Sequence, residues 1–194
     1  MQKLIGAFCI SFLFILTGCH SREENGTSVP VNSTEAVNIF PVTSFIKAQL
    51  KQIDSMAVTP LKITSENGKS DSSWLKREAV RNYAREFLTP VIDSANMSSL
   101  FSEKSFLDQT INAFTFSYDP KVKLPGSIKL THWDVYMNPQ TNKIERIYLV
   151  KQNADTIKQL TWVVNKWYSV RTITKSNSNE PGIKEDKLIW DFDD

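Results

Sequence analysis

Cysteine is nearly absent from this chain. There are two, Cys9 and Cys19, and none from residue 20 to residue 194. A domain built from those later residues holds no disulfide and no thiolate metal site, and must be stabilised by its core alone. Glycine is sparse too. The four after residue 18, at 26, 68, 126 and 182, never cluster, which excludes a glycine-rich phosphate-cradling loop. Only one histidine, His132, lies beyond residue 38, and the acidic end at Asp191, Asp193 and Asp194 is a solubilising tail, so no metal or cofactor is expected. Charge of one sign is missing as well: 23 basic against 21 acidic residues give +2, leaving no basic excess for nucleic acid and no acidic excess for a cationic partner. The longest apolar run, Leu4 to Leu16, is thirteen residues, short of the roughly 20 that a membrane-spanning helix needs.

What the chain does have begins with that run. Lys3 supplies a short positive start, the apolar stretch follows, and small residues precede a cysteine, the order of a secretory signal peptide. Leu16-Thr17-Gly18-Cys19 resembles the lipobox of bacterial lipoproteins. The resemblance implies that Leu16 and Gly18 are read by signal peptidase II, and that Cys19 takes a thioether-linked diacylglycerol and becomes the first mature residue. Each buried lipid CH₂ contributes about 0.8 kcal/mol, so two or three acyl chains hold a soluble domain at a bilayer. Cleavage would remove only Lys3 among the charged residues, leaving the mature chain at +1. Residues 1–18 are thus expected to be a lipoprotein signal peptide, with the membrane partner reached through lipidated Cys19.

Residues 19–38 are rich in Ser, Thr, Asn and Glu and read as a flexible tether. His20 stands where aspartate would mark inner-membrane retention in enterobacteria, which makes the outer membrane the expected destination. Arg22-Glu23-Glu24 resembles the short acidic signals that send Bacteroidetes lipoproteins to the cell surface. The protein is therefore expected to be exported and lipid-anchored to the outer membrane, at its periplasmic face or at the cell surface.

A single α+β domain is expected over residues 39–194. Val42, Phe45, Ile46, Leu50 and Ile53 recur at helical spacing behind Pro41, predicting a helix over 42–55. After a short strand at 61–64 and a turn at Glu66-Asn67-Gly68-Lys69, Ser72 or Ser73 could cap a second helix whose inner face runs from Leu75 to Phe87. Its Lys76, Arg77, Arg81 and Arg85 read as a solvated face diluted by Glu78 and Glu86. Further short helical turns are expected within 91–109. Strand patterns then occupy 114–118, 128–137, 144–151, 157–164, 167–174 and 187–192, joined by short loops that force antiparallel pairing. The expected fold class is α+β: two or so N-terminal helices packed on a curved antiparallel β-meander of about six strands. Pro41 to Asp54, Trp74 to Asp93 and Ser105 to Lys151 also resemble a family of uncharacterised lipoproteins of the Bacteroidetes, which implies lineage and location but no activity.

Three constellations carry potential chemistry. His132 and Asp134 share one strand face and, with Ser127 or Ser169, could be drawn as a hydrolase site. A hydrogen-bonded strand histidine is the plainer account, since no sharp nucleophile turn is visible. The aromatics Trp133, Trp162, Trp167 and Tyr168 form a candidate ligand face, because flat rings stack on sugars or line apolar grooves, although β-propensity alone puts aromatics in strands. If Val164 faces Trp167 across a two-residue turn, Trp162 and Trp167 share that face. Asp54-Ser55-Met56, Asp93-Ser94-Ala95 and Asp155-Thr156-Ile157 resemble O-glycosylation acceptors of exported Bacteroidetes proteins, making Ser55, Ser94 and Thr156 candidates. These features point away from an enzyme and toward a lipid-anchored binding or accessory lipoprotein with a protein, carbohydrate or apolar ligand. A carrier of an apolar or lipid ligand in a groove between helices and sheet is the alternative, and a hydrolase using His132 comes third.

Overall fold

The computed structural model describes residues 38–175 and 180–192. Among these residues nine strands form one open antiparallel sheet: β1 (Leu61–Glu66), β2 (Lys69–Trp74), β3 (Phe101–Asp108), β4 (Ala113–Pro120), β5 (Leu130–Met137), β6 (Ile144–Asn153), β7 (Thr156–Val163), β8 (Trp167–Thr174) and β9 (Gly182–Ile189). Their order is β2-β1-β9-β8-β7-β6-β5-β4-β3, a meander from β3 to β9 extended at its far side by the β1–β2 hairpin. The helices are α1 (Val42–Ser55), α2 (Ala79–Tyr83) running into a 3₁₀ turn at Ala84–Leu88, and α3 (Ser94–Met97).

This overturns the expected two helices on a curved six-stranded meander. The sheet has nine strands and dominates, and α1 alone among the described helices exceeds two turns. The long second helix fails at its start. Asn67 (φ 48°) and Gly68 (φ 81°) both take left-handed backbone, the requirement of a tight hairpin turn. The chain therefore doubles back, and Ser72 and Ser73 pair with Ile63 and Lys62 as strand residues instead of capping a helix. The other strand absent from the expectation, β3, takes residues 101–108 of the stretch 91–109 read as helical turns, where α3 is the one helix.

Helix α1 forms where its pattern predicts, burying Val42, Ile46, Leu50 and Ile53. Residues 75–100 run from β2 at one sheet edge to β3 at the other, carrying the remaining helices. With α1 they cover one sheet face. Beneath them Val135, Ile147, Trp162, Tyr168 and Leu188 lie in register across β5 to β9, with Trp133, Leu149 and Leu160 in the next row. All eight are buried in the same core as Val80, Ala84, Phe87, Ile92 and Met97. Polar ties fix the layers: the Tyr168 hydroxyl donates to the Val80 carbonyl at 2.8 Å, and the Ile92 N–H donates to the Thr43 hydroxyl at 2.8 Å.

The β7–β8 connection corrects the expected pairing. Val163, not Val164, faces Trp167, so three residues form the loop, with Asn165 at φ 65°. A one-residue slip exchanges the faces of every side chain in the strand. Trp162 consequently pairs with Tyr168 on the helix-covered face, and Trp167 lies on the opposite, open face.

Candidate functional site

The aromatic constellation is split by that register. Trp162 is 0% exposed, stacked on Tyr168 at 5.0 Å between ring centroids and met edge-on by Phe87 at 5.3 Å. Trp133 is likewise sealed, stacked on Tyr118 and met edge-on by Phe101, each at 4.6 Å. The ring faces that a sugar or acyl chain would contact are occupied by other rings. Trp167, half-buried on the open face, lies under the Lys187 ammonium at 4.1 Å. Other side chains thus fill the space over Trp133 and Trp162.

His132, Asp134 and Tyr136 alternate along β5 on the open face, as period-two spacing requires. Nδ1 of His132 is 2.9 Å from Oδ1 of Asp119 and Nε2 is 3.2 Å from Oδ1 of Asp134, so both ring nitrogens meet carboxylates. Burial disfavours the imidazolium, but the hydrogen bonds and charges of Asp119 and Asp134 outweigh it and raise the His132 pKa above its ordinary value. Tyr136 donates to Oδ2 of Asp134 at 3.0 Å, and burial with that carboxylate pushes its phenol up to about 12. This is a charge-compensated clasp across β4 and β5. Neither proposed nucleophile joins it. Ser169, 5% exposed, lies on β8, three strands from β5 and roughly 14 Å away at the usual spacing of about 4.8 Å. Ser127 instead lines a cleft beside Lys151, whose side chain belongs to the helix-covered face.

That cleft is smaller than a hollow of about 990 Å³ lined by Glu66, Asn67, Arg171 and Lys175 among others, but it is the more enclosed of the two. It has a volume of about 530 Å³ at the rim of the helical layer, where the 3₁₀ turn meets the β6–β7 hairpin. Three lysines, Lys129, Lys151 and Lys158, line it with one carboxylate, Glu86. Lys151 follows Leu149 by two residues, which points it inward, and it pairs in register with Lys158. It is only 8% exposed. Its ammonium donates to the Glu86 carbonyl and lies 3.3 Å from Oε2 of Glu86, while Lys158 donates to Oε1 at 2.6 Å. Burial pushes the Lys151 pKa down, with Glu86 offsetting only part of the effect. Burial also opposes ionisation of Glu86, but the Lys158 hydrogen bond and the two ammonium charges hold its pKa below the ordinary carboxylate value. One carboxylate is therefore shared by two ammonium groups, and exposed Lys129 adds a third positive charge. A shallower groove lined by Arg85, Leu88 and Thr89 shares Glu86 with the cleft.

None of these residues stands out in the sequence. Glu86 looked like charge dilution on a solvated helix face, and Lys151 and Lys158 like strand ends. The usable signal was Lys151 itself, a lysine at an inward position of a strand whose previous inward residues, Ile147 and Leu149, are core.

Among the candidate acceptors, Ser55 is exposed at the end of α1, with its hydroxyl donating to the Gln52 carbonyl at 2.6 Å. Ser94 is half-buried, its hydroxyl 3.3 Å from the Ile39 carbonyl, and half-buried Thr156 lines the cleft. Leu16, Gly18 and Cys19, residues 19–37 of the tether and with them the Arg22-Glu23-Glu24 segment lie outside the described residues. Comparison with known proteins finds no match: no family model, no curated protein and no solved structure.

Proposed function

We propose that the chain is a lipid-anchored binding module of the outer membrane, tethered through Cys19 and taking a small anionic ligand in the lysine-lined cleft. The observation that carries the binding reading is the unequal charge of a site that is partly withdrawn from water: two ammonium groups share one carboxylate beside a third lysine. Buried charge is costly unless neutralised, so an incoming anion is stabilised there more than at an open surface. The volume suits a small molecule, since ligand clefts run from about 300 to 1,000 Å³. The anchoring reading rests on Leu16-Thr17-Gly18-Cys19.

Anchoring is tested by detergent phase separation of cells expressing the full chain. The wild type enters the detergent phase and Cys19→Ala does not; unchanged partitioning of Cys19→Ala refutes the anchor. Binding is tested by melting the full chain with a panel of small anionic and neutral solutes. At least one anion raises the melting temperature in the wild type, because a ligand at 100 times its Kd adds about 2.7 kcal/mol, and Lys129→Glu removes the shift. A panel without any such anion refutes the binding reading.

A further inference from the structure

The charge and donor geometry of the cleft narrow the ligand. Three ammonium groups and one carboxylate leave two positive charges. An ammonium has three donors; Lys151 directs two hydrogen bonds at Glu86 and Lys158 one, so each keeps donor capacity beside the open volume. The cationic lining is lysine throughout. Arginine's planar fork matches carboxylate and phosphate oxygens in pairs, whereas ammonium groups are compact point charges whose rotatable donors also bind phosphate and can converge on a tetrahedral oxyanion from different sides. A phosphate monoester carries about −1.5 to −2 at neutral pH, matching the surplus. About 530 Å³ exceeds what a phosphate group alone fills, and Ser127, Asn153 and Thr156 place hydroxyl and amide groups along the remainder.

We propose that the cleft recognises a phosphate monoester, its phosphate held among Lys129, Lys151 and Lys158 and its polar body set against Ser127, Asn153 and Thr156. This rests on the binding-module reading above and assigns its ligand class. The same group could arrive on a soluble ester or on the headgroup of a membrane lipid, within reach of a lipid-tethered domain.

Isothermal titration of the full chain in a mild non-ionic detergent tests the assignment. The probes are glucose 6-phosphate, glucose, citrate, dihexanoyl phosphatidic acid and dihexanoyl phosphatidylcholine. One or both phosphate monoesters bind, glucose and phosphatidylcholine do not, and the tighter of the two esters identifies the source. Lys129→Gln and Lys158→Gln each weaken that binding about tenfold, the scale of one lost charge-assisted hydrogen bond. Both positions are accessible enough for the variants to fold, which circular dichroism checks, whereas Lys151 is too buried to serve. Binding of glucose as tight as that of its phosphate overturns the assignment. So does lysine-independent binding, or failure of both esters. Tighter, lysine-dependent binding of citrate overturns the phosphate class while leaving the anion-binding cleft in place.

Discussion

Replacing Glu86 with Gln removes the one carboxylate that Lys151 and Lys158 share, keeping side-chain volume nearly constant. The cost follows from what remains. Lys151, 8% exposed, is left charged without its counter-ion and faces Lys158, its cross-strand neighbour, as a like charge. Breaking a fully buried pair costs about 3–5 kcal/mol and breaking a surface pair about 0–1 kcal/mol. The Glu86 side chain is 39% exposed, which places the loss between these limits, at about 2 kcal/mol. For a chain of this length that lowers the melting temperature by about 4–8 °C. The pH dependence has a defined sign. Folded Glu86 titrates below its ordinary 4.5, so its contribution is complete above pH 4.5 and disappears as pH falls through the lower folded value. Folded Lys151 titrates below its ordinary 10.5, and lower again without Glu86, so the variant recovers stability on the alkaline side once Lys151 releases its proton. Urea denaturation across pH therefore shows a deficit that is flat through neutrality and narrows toward both extremes. A Glu86→Gln variant within about 0.5 kcal/mol of wild type at pH 7 refutes the coupling between Glu86 and the buried Lys151 ammonium.

Other consequences are more local. The folded His132 pKa lies above its ordinary 6.5, so the clasp stabilises fully below pH 6.5 and fades as pH rises through the folded value. The gap in urea midpoint between wild type and His132→Gln is accordingly wider near about pH 6 than near about pH 9. Trp162→Ala removes a ring packed on Phe87 and Tyr168 and costs about 3–5 kcal/mol by chemical denaturation. If Glu23 and Glu24 address the protein to the cell surface, protease shaving of intact cells degrades the wild-type domain and spares the Glu23→Ala/Glu24→Ala double variant; protection of the wild type places it on the periplasmic side.

The parts of the fold that announced themselves in sequence are those with two covered sides. Helix α1 and the interior strands β5 to β8 carry long apolar periods because neighbours flank them on both sides and helices cap one face. The strands that escaped notice, β2 and β3, are the two sheet edges. In β2, Lys-Ser-Asp-Ser-Ser-Trp is exposed throughout, so no alternation betrays it, and only Asn67-Gly68 marks the hairpin. In β3, most residues after Phe101 are at least partly exposed, Phe106 and Leu107 among them. Faces in the β7–β8 hairpin were legible only to within one residue, because Asn165 and Lys166 suggested a two-residue turn and the chain uses three. The cleft was harder still. It depends on residues 86, 129, 151 and 158 meeting through the crossing of residues 75–100, a contact that no local spacing encodes.

Backbone resonance mapping of the full chain during titration with glucose 6-phosphate tests the central claim, that this is a binding module whose site is the lysine-lined cleft. Perturbations are expected to centre on Glu86, Lys129, Lys151, Asn153 and Thr156, with the open face around His132, Tyr136 and Trp167 unmoved. Perturbations confined to that open face, with the cleft residues silent, would contradict it.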